Sequence, residues 1–340
     1  MRKKLLTALN LRFLILLLAI TASISTLVSS FYSTYQVQKE QLTAYTLKSN
    51  YAYANKLASA TDNFLESAMQ QLAYSAKKIE QRVDDEDLLN QEATRLHLQT
   101  NSFNSVVINK HSVVVATSPK FPQLIGESIH SPGAVQALQE KRPLISAPYM
   151  SAAGNFIVFI SHPLFDQSGD YLGYIGGSLY LKERNILNSL LEQHYYEGGT
   201  YIYVVDASRQ ILYHPDQALI GTVVTNNSIT NNMIKGQSGT SIVKNSQEIE
   251  MLAGFSSVPK AKWVIVAQRP VRATLSSLDL LITEVIKRTL PMAVITFLLI
   301  GFFAHFISRP LKKLADKANT LDDPTSIEEL KSVKSWYFES

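Results

Sequence analysis

The sequence predicts an α+β fold, in which two similar modules of strands and helices stand on a long N-terminal helix, flanked by two transmembrane helices. Two uncharged, apolar stretches near the two ends of the chain predict the membrane helices. A segment without Pro or Gly follows the first stretch, and a strand–strand–helix–strand–strand–strand pattern then occurs twice. These features indicate a membrane-anchored chain with a folded region between its anchors.

Composition supports this picture and excludes several classes of protein. The 340 residues suffice for about two domains, and the contents of 46% hydrophobic and 18% charged residues favour membrane segments. A net charge of +4, with the basic residues near the chain ends, does not indicate a nucleic-acid partner. Cysteine is absent, which excludes disulfides, thiolate chemistry and cysteine metal sites.

The N-terminal apolar stretch predicts a transmembrane helix over residues 13–35. Residues 1–12 carry four basic side chains and no acid, whereas residues 13–38 carry no charge. This length suffices to cross a bilayer core of ~30 Å. A cleaved signal peptide has the same basic start and apolar centre, with small residues at 22–25 for cleavage, but the long uncharged stretch favours a retained helix.

A second transmembrane helix is predicted over residues 289–308, which are uncharged and rich in Leu, Ile and Phe. Four basic residues follow within 309–317. Because positive residues favour the cytoplasmic side, we expect residues 1–12 and 309–340 to be cytoplasmic and residues 36–288 to lie outside. The expected location is therefore the inner (plasma) membrane, as a multi-pass protein.

Residues 36–82 predict one long helix, called the spine below. Its apolar side chains recur at helical spacing and form one stripe: Leu57, Phe64, Leu65, Ala68, Leu72 and Ile79. At 1.5 Å per residue such a helix is roughly 70 Å long, which exceeds the width of one small domain. An acidic run at residues 84–87, interpreted as a solvated helix end and not as a metal site, separates the spine from a short helix at 88–98.

The region between the membrane helices contains an internal duplication. Strands at 103–109 and 113–117 reappear as strands at 200–206 and 210–214, and each pair is followed by a Pro and then by Leu-Ile-Gly. Each copy continues with a short helix, at 133–140 or 229–235, and with three more strands, at 239–243, 250–255 and 263–269 in the second copy. The first module spans about residues 84–181 and the second about 199–269, with a linking helix at 182–194.

Residues 143–181 predict three antiparallel strands joined by two turns rich in Gly, Ser and Asp. Alternation puts Phe156, Val158 and Ile160 on an apolar face and mixes aromatic, hydroxyl and amide groups on the other. Such a mixture is typical of a small-molecule pocket, although an ordinary half-exposed sheet face has the same pattern. The candidate ligand-binding residues are Tyr149, Ser151, Asn155, Phe159, Ser161, Ser178 and Tyr180, with Arg142 and His130 nearby.

The layout resembles the double Cache (dCache_1) sensor region of bacterial transmembrane receptors, over residues 36–288. Two short sequence motifs support the resemblance as well: Ala147-Pro148-Tyr149 and the GGSL sequence at 176–179. It implies two PAS-like modules, with the ligand in the membrane-distal one, here the first module. Residues 307–315 resemble the start of a HAMP signalling helix, and residues 333–339 resemble the connector to the GGDEF domain of membrane-bound diguanylate cyclases.

Family members that bind amino acids carry an Arg-x-Trp-Tyr signature, a strand Tyr and a strand Asp. Tyr149 matches the tyrosine, but residues 130–133 (HSPG) do not match the signature, and Ser178 stands where the Asp is expected. Because the Asp and the Arg would hold the two charges of an amino acid, we do not expect an amino-acid ligand. A carboxylate, a sugar or an amine remains open, and Arg142 and His130 are the nearby groups able to meet an anion.

Enzyme motifs are missing from the sequence. We find no phosphate-binding Gly-x-x-x-x-Gly-Lys loop, no His-Glu-x-x-His and no Gly-x-Ser-x-Gly. We therefore expect no catalytic residue, no metal and no cofactor, with a diguanylate cyclase domain lying beyond the sequence. The expected function is extracytoplasmic sensing of a small molecule and signal transduction to a cytoplasmic output; the alternatives are a chemoreceptor sensor region and a surface interaction protein. The expected partners are an unidentified ligand, the membrane and a second copy in a homodimer.

Overall fold

The structure is a computed structural model that describes residues 11–100, 103–119, 121–151, 153–191, 197–224 and 237–318. The chain divides into two compact units. One unit, Gln41–Leu275, holds both sheets, and the other holds the helical segments before and after it. The helix predicted at 229–235 and the signalling segment after residue 318 lie outside the described residues.

The described helices are α1 (Leu11–Ile79), α2 (Glu86–Thr100), α3 (Pro132–Glu140), α4 (Ile186–Leu191) and α5 (Val271–Ala318). The strands of the first sheet are β1 (Phe103–Asn109), β2 (Val114–Ser118), β3 (Leu144–Ile145), β4 (Tyr149–Met150), β5 (Phe156–Phe165) and β6 (Tyr171–Tyr180). The strands of the second sheet are β7 (Tyr201–Val205), β8 (Ile211–Tyr213), β9 (Gly239–Lys244), β10 (Glu250–Val258) and β11 (Trp263–Pro270).

Both sheets are antiparallel and share one strand order. The first sheet runs β2-β1-β6-β5-β3, with β4 also paired to β5, and the second runs β8-β7-β11-β10-β9. In each sheet the first strand of the module lies beside the last, at the centre. The predicted α+β fold, two PAS-like modules on a long N-terminal helix with a further long helix at the C-terminal side, is confirmed.

The duplication extends to strand register and turn geometry. The first hairpin bulges between Val107 and Ile108, and the second hairpin bulges at the same place, between Val204 and Val205. The carboxamide of Asn109 accepts hydrogen bonds from the backbone N–H groups of the turn after β1, and the carboxylate of Asp206 does the same after β7. Side-chain acceptors of this kind favour tight turns, so both copies keep the same local chemistry.

The spine side of each sheet packs against α1. The buried stripe of the helix runs through Ala54, Leu57, Ala58, Leu65, Ala68, Leu72, Ala76 and Ile79, and one continuous core joins it to both sheets. The first sheet contributes Val158, Ile160 and Leu179 to that core, whereas the second contributes Val204, Ile265 and Trp263. Helix α1 ends at Ile79, earlier than the acidic run, and Asp85 caps α2 by accepting the N–H of Leu88 at 3.0 Å.

Two local predictions need correction. The first strand of the 143–181 meander forms two short strands, β3 and β4, separated at Pro148, which has no N–H for a ladder bond. Within the described residues the linking helix is only α4, which Asn185 caps by accepting the N–H of Leu187 at 2.7 Å.

Two described helices are long and apolar enough to cross a membrane, over Leu16–Ile79 and Val271–Phe306. Large apolar side chains on both are exposed, which fits a lipid-facing surface. Helix α5 begins at Val271, so Pro291 lies in the helix interior. The boundaries 13–35 and 289–308 for the membrane spans stay predictions.

Candidate ligand-binding site

The side of the first sheet that faces away from the spine packs under α3, and we call it the first pocket face. Directly paired residues of neighbouring antiparallel strands share a face. Asn104 pairs with Ser178, which pairs with Phe159, and these three side chains form one row across the face. The next row contains Tyr180, Ile157 and Tyr149.

Helix α3 lies over the first pocket face because its small, buried residues fit there. Ala134 and Ala137 pack in one cluster with Phe159, Tyr174 and Leu144. The helix starts at Pro132, whose missing N–H costs nothing in the first turn. It ends at Glu140, and the next residue, Lys141, adopts a left-handed conformation with φ of 48°.

Phe159 fills the centre of the face. Its ring is 4% exposed and meets Tyr174 edge-on, with the ring centroids 5.8 Å apart. A side chain at Gly176 would overlap this ring, so the glycine makes room for the phenylalanine. Ser161, in the same row as Gly176, is also buried. This part of the face is packed core, which leaves the Ser178 and Tyr180 end for a ligand.

Tyr149 connects the sheet to the start of α3. Its hydroxyl oxygen lies 3.4 Å from Oγ of Ser131, and a Cβ at Gly133 would lie 2.7 Å from the same oxygen. Burial raises the pKa of Tyr149, and the contacts with Ser131 and the backbone of Gly133 lower it by less. The phenol is therefore neutral and able to donate a hydrogen bond at physiological pH.

A group of half-buried polar side chains lies beside Tyr149: Asn104, Ser178 and Tyr180. Across the described part of the chain, these three side chains make no hydrogen bond to the protein. Their amide and hydroxyl groups line two adjacent rows of the sheet. A set of convergent, unengaged polar groups next to apolar walls is what a small-molecule site requires.

The other predicted residues have different surroundings. Ser151 accepts the N–H of Asn155 at 3.2 Å, so this pair holds the turn between β4 and β5. Arg142 is exposed, pairs with Glu140 and lines a separate cavity of about 490 Å³ between the two modules. His130 is exposed in the loop before α3. The structure thus does not bring the two groups predicted to meet an anion into the row of Ser178.

Asn104 and Ser131 were missed by the sequence interpretation. Alternation along β1 puts Asn104 on the face of Val106 and Ile108, which a pattern reading detects. Its pairing with Ser178 joins strands far apart in sequence, and only the sheet order reveals it. Ser131 is found through its contact with Tyr149 and has no pattern of its own.

The described side chains of the first pocket face are uncharged. They are Asn104, Val106, Ile108, Val114, Thr117, Leu144, Tyr149, Ile157, Phe159, Ser161, Pro163, Tyr174, Ser178 and Tyr180. The face can therefore offer hydrogen bonds and aromatic surface to a ligand, but no charged partner.

Solved structures share this fold at low sequence identity. The chain matches the ligand-binding domain of Mlp24 with asparagine (TM-score 0.52, 16% identity, 72% of this chain and 99% of that one). It also matches the extracellular domain assigned to the histidine kinase rpHK1S-Z16 (0.60, 14%, 68% and 98%). A third match is the ligand-binding domain of the Pseudomonas fluorescens chemoreceptor CtaA in complex with L-isoleucine (0.52, 16%, 72% and 99%).

A larger protein also matches, an extracellular ligand binding receptor from Desulfohalobium retbaense DSM5692 (TM-score 0.54, 16% identity). The match covers 63% of this chain and 39% of the receptor, so the chain spans well under half of that protein's length. A search among curated proteins finds no significant match. The family model described as Cache domain matches residues 34–278, which is more than half of the chain. The chain therefore belongs to the Cache domain family.

Proposed function

We propose that the first module binds a small, uncharged molecule at the Ser178 end of its pocket face and that the chain passes this event across a membrane. The observation that carries the proposal is that the side chains of Asn104, Ser178 and Tyr180, beside Tyr149, make no hydrogen bond within the described part of the chain. Membership of the Cache family supports it, since the structural relatives include extracellular ligand-binding domains of chemoreceptors and histidine kinases.

The absence of charge on the described face sets the ligand class. Two of the relatives are complexes with asparagine and with L-isoleucine. An amino-acid zwitterion would bring two charges against Ser178 and Asn104, which cannot compensate for the desolvation of either charge. We infer a ligand whose polar groups are hydroxyls or amides, with an apolar part against Ile157 and Phe159.

The two faces of the first sheet suggest how binding is transmitted. Tyr149 joins α3 to the pocket face, while Val158 and Ile160 of the same sheet pack on the spine. A ligand that contacts both α3 and the sheet better in one arrangement shifts the population of that arrangement, by its difference in affinity. The displacement would then reach α1.

We propose that the chain is a multi-pass protein of the inner membrane. We also propose that the receptor is a homodimer and that residues 309–340 form a HAMP-like segment. The output is a diguanylate cyclase domain or, with comparable support from the match to the chemoreceptor CtaA, a chemoreceptor signalling domain. Reporter fusions after residue 340 and in the turn Asp166–Asp170 test the topology, because they must report opposite compartments. The same compartment for both contradicts it.

We further propose that these residues carry no catalytic activity of their own. The sequence lacks the nucleotide-binding and hydrolase motifs, and Cache domains are ligand-binding modules. Purified full chain incubated with GTP should release no cyclic dinucleotide and no phosphate. Turnover that copurifies with the chain and is lost after a point substitution in it would contradict this.

The binding proposal is tested on the full chain in lipid nanodiscs. A thermal-shift screen against metabolites identifies the ligand, since binding to the folded state raises Tm. Ser178→Ala and Tyr149→Phe should each raise the Kd of that ligand by roughly five- to tenfold, which is the loss expected for one neutral hydrogen bond. Val158→Ala on the spine side is the matched control, which should lower Tm and leave the Kd unchanged. Unchanged affinity in both pocket variants would show that the ligand binds elsewhere.

A further inference from the structure

The second module has a row equivalent to that of Ser178. Tyr201 pairs with Gln268, Gln268 with Ala253, and Ala253 with Ser241, so these side chains lie side by side on one face. The register matches the first sheet position by position, with Tyr201 in the place of Asn104, Gln268 in that of Ser178 and Ala253 in that of Phe159. We call this surface the second pocket face.

The large side chains have moved by one row between the two faces. In the first module Phe159 occupies the row of Ser178, and the next row has the small residues Ser161 and Gly176. In the second module that next row contains Phe255 and Val266, and the row of Gln268 has Ala253 at its centre. The space that an aromatic ring fills in the first module is therefore not filled from the same position in the second.

Gln268 carries a buried carbonyl that lacks a partner, although its side chain also interacts with the hydroxyl of Tyr201. Its side chain is 2% exposed, and its buried Oε1 has no hydrogen-bond partner in the described structure. Buried carbonyl groups almost always accept a hydrogen bond, because leaving one unpaired forfeits its hydration without compensation. An unpaired carbonyl at the position equivalent to Ser178 points to a ligand that donates a hydrogen bond.

Tyr201 is the cross-strand neighbour of Gln268, and His214 in turn contacts Tyr201, so these two rings determine what else a ligand meets. The rings of Tyr201 and His214 lie edge to face, with centroids 5.0 Å apart. Nδ1 of His214 accepts the N–H of Asp216 at 2.9 Å, so the proton of the neutral ring is on Nε2. Burial lowers the pKa of His214, which keeps the ring neutral at physiological pH. The described residues of this row and its border are thus uncharged.

We propose that the second pocket face is a second ligand site, for an uncharged molecule that donates an N–H group to Oε1 of Gln268 and lays a planar or apolar part against Tyr201 and His214. The first test asks whether the fold needs the carbonyl group of Gln268 in the absence of a ligand. Gln268→Met keeps the length of the side chain and removes the unpaired carbonyl together with the interaction between the amide and Tyr201. Because the unpaired carbonyl costs more than one ordinary hydrogen bond contributes, the full chain without ligand should gain up to about 2 °C in Tm.

Gln210→Met is the matched control, because Nε2 of Gln210 donates to the carbonyl of Gly221 at 2.8 Å. This substitution removes a satisfied hydrogen bond and should lower Tm. A loss of Tm in Gln268→Met similar to that in Gln210→Met would overturn the proposal, since it would show that the amide of Gln268 is needed by the fold.

The second test uses nicotinamide, a neutral planar amide, as the probe. Its binding to the full chain in nanodiscs is measured by saturation-transfer NMR against empty nanodiscs, beside N,N-dimethylnicotinamide, which lacks the N–H, and charged nicotinate. Nicotinamide should bind at least about tenfold tighter than either analogue, and Gln268→Met should remove this preference. Ser178→Ala should leave it unchanged, which separates this site from the one in the first module.

Each other outcome counts against the site. Absence of nicotinamide binding up to its solubility limit, or equal binding of the two amides, would overturn the donor requirement. Binding that survives Gln268→Met would place the probe elsewhere on the chain. Binding lost in Ser178→Ala but kept in Gln268→Met would assign it to the first module and refute the second site.

Discussion

The two modules have the same strand order and register but meet the spine differently. Ile160 of β5 and Gly254 of β10 occupy equivalent positions on the spine side. Ile160 is completely buried and separates its sheet from α1 by a side chain. At Gly254 the sheet backbone lies directly against the helix backbone at Asn50 and Tyr51, where a Cβ would not fit.

At the centres of the two sheets the polar contacts follow the same division, whereas the first module is tied to the spine outside its sheet centre, through Glu92 of α2. Around Gly254 the spine holds the second sheet through hydrogen bonds, from Nδ2 of Asn50 to the carbonyl of Leu252 at 2.7 Å and from Oγ of Ser256 to Oδ1 of Asn55 at 3.0 Å. Packing through side chains tolerates small displacements, whereas a backbone contact with directional hydrogen bonds tolerates fewer. The centre of the first sheet is therefore better suited to shift on the spine than the centre of the second sheet, which is fixed to it.

The largest expected effect comes from removing the side chain of Ile160, which separates the first sheet from α1. Ile160→Ala leaves a cavity between β5 and α1 and should lower the free energy of unfolding by about 4 kcal/mol, measured by urea denaturation. Ile242→Ala on the exposed edge strand β9 is the control and should cost much less. Equal losses for both would mean that the first sheet does not depend on side-chain packing against the spine.

Adding a Cβ at Gly254, where the backbone of β10 lies against the backbone of α1, should have the next largest effect. Gly254→Ala forces β10 away from Asn50 and Tyr51 and should cost about 2–3 kcal/mol in the same assay. Gly239→Ala is the matched control in β9, because its added Cβ meets only the ring of Phe255, at 3.6 Å. A neutral Gly254→Ala would refute the close approach of sheet and helix.

An ionic cluster ties α2 of the first module to the spine, and acid should loosen it. Glu92 accepts hydrogen bonds from Ser75 at 2.8 Å, Lys78 at 3.0 Å and Arg95 at 2.8 Å. Burial raises the pKa of Glu92, but these bonds lower it by more, to below the usual 4.5. Its contribution is therefore present above pH 4.5 and is lost as the pH falls through the lowered pKa.

Glu92→Gln should accordingly cost about 1–2 kcal/mol at neutral pH and reduce the loss of stability below pH 4.5. Glu248→Gln in the second module is the control, because the exposed pair of Glu248 and Lys244 contributes little. Urea denaturation at several pH values measures both variants. An unchanged acid profile in Glu92→Gln would contradict the role of the cluster.

The smallest predicted effect concerns His214, whose equivalent in the first module is Thr117. Burial keeps the pKa of His214 below its usual 6.5, so below pH 6.5 the unfolded chain binds a proton that the folded chain does not. The second module should lose stability as the pH falls below 6.5 and keep it above. His214→Asn should flatten Tm against pH in that window, and a profile identical to wild type would show that the ring titrates equally in both states.

Much of the fold was predictable because it depends on local patterns. The duplication, the spine stripe and the two faces of β5 follow from alternation and helical spacing, and the structure confirms them. The Asn109 and Asp206 turns repeat in the sequence for the same reason. The split between β3 and β4 depended on Pro148, which the apolar pattern around it obscured.

The site was less predictable, since it depends on which distant strands are neighbours. Alternation alone put Tyr149, Ser178 and Tyr180 on one face of the sheet, and the strand register agrees. Asn104 joins them only because β1 lies beside β6, and Arg142 is lost because the chain turns after α3 toward the cavity between the modules. Alternation also cannot show that the ring of Phe159 fills its row on the first pocket face, whereas the small side chain of Ala253 does not fill the equivalent row on the second.

Hydrogen exchange on the full chain, with and without the compound found by thermal shift, tests ligand binding in the first module most directly. Backbone amides of α3 and of β6 around Ser178 should exchange more slowly with ligand, because the ligand ties the helix to the sheet. The spine-facing residues of β10 around Gly254 should change little, since that contact is already fixed. Protection confined to the second module, with α3 and β6 unaffected, would contradict the assignment.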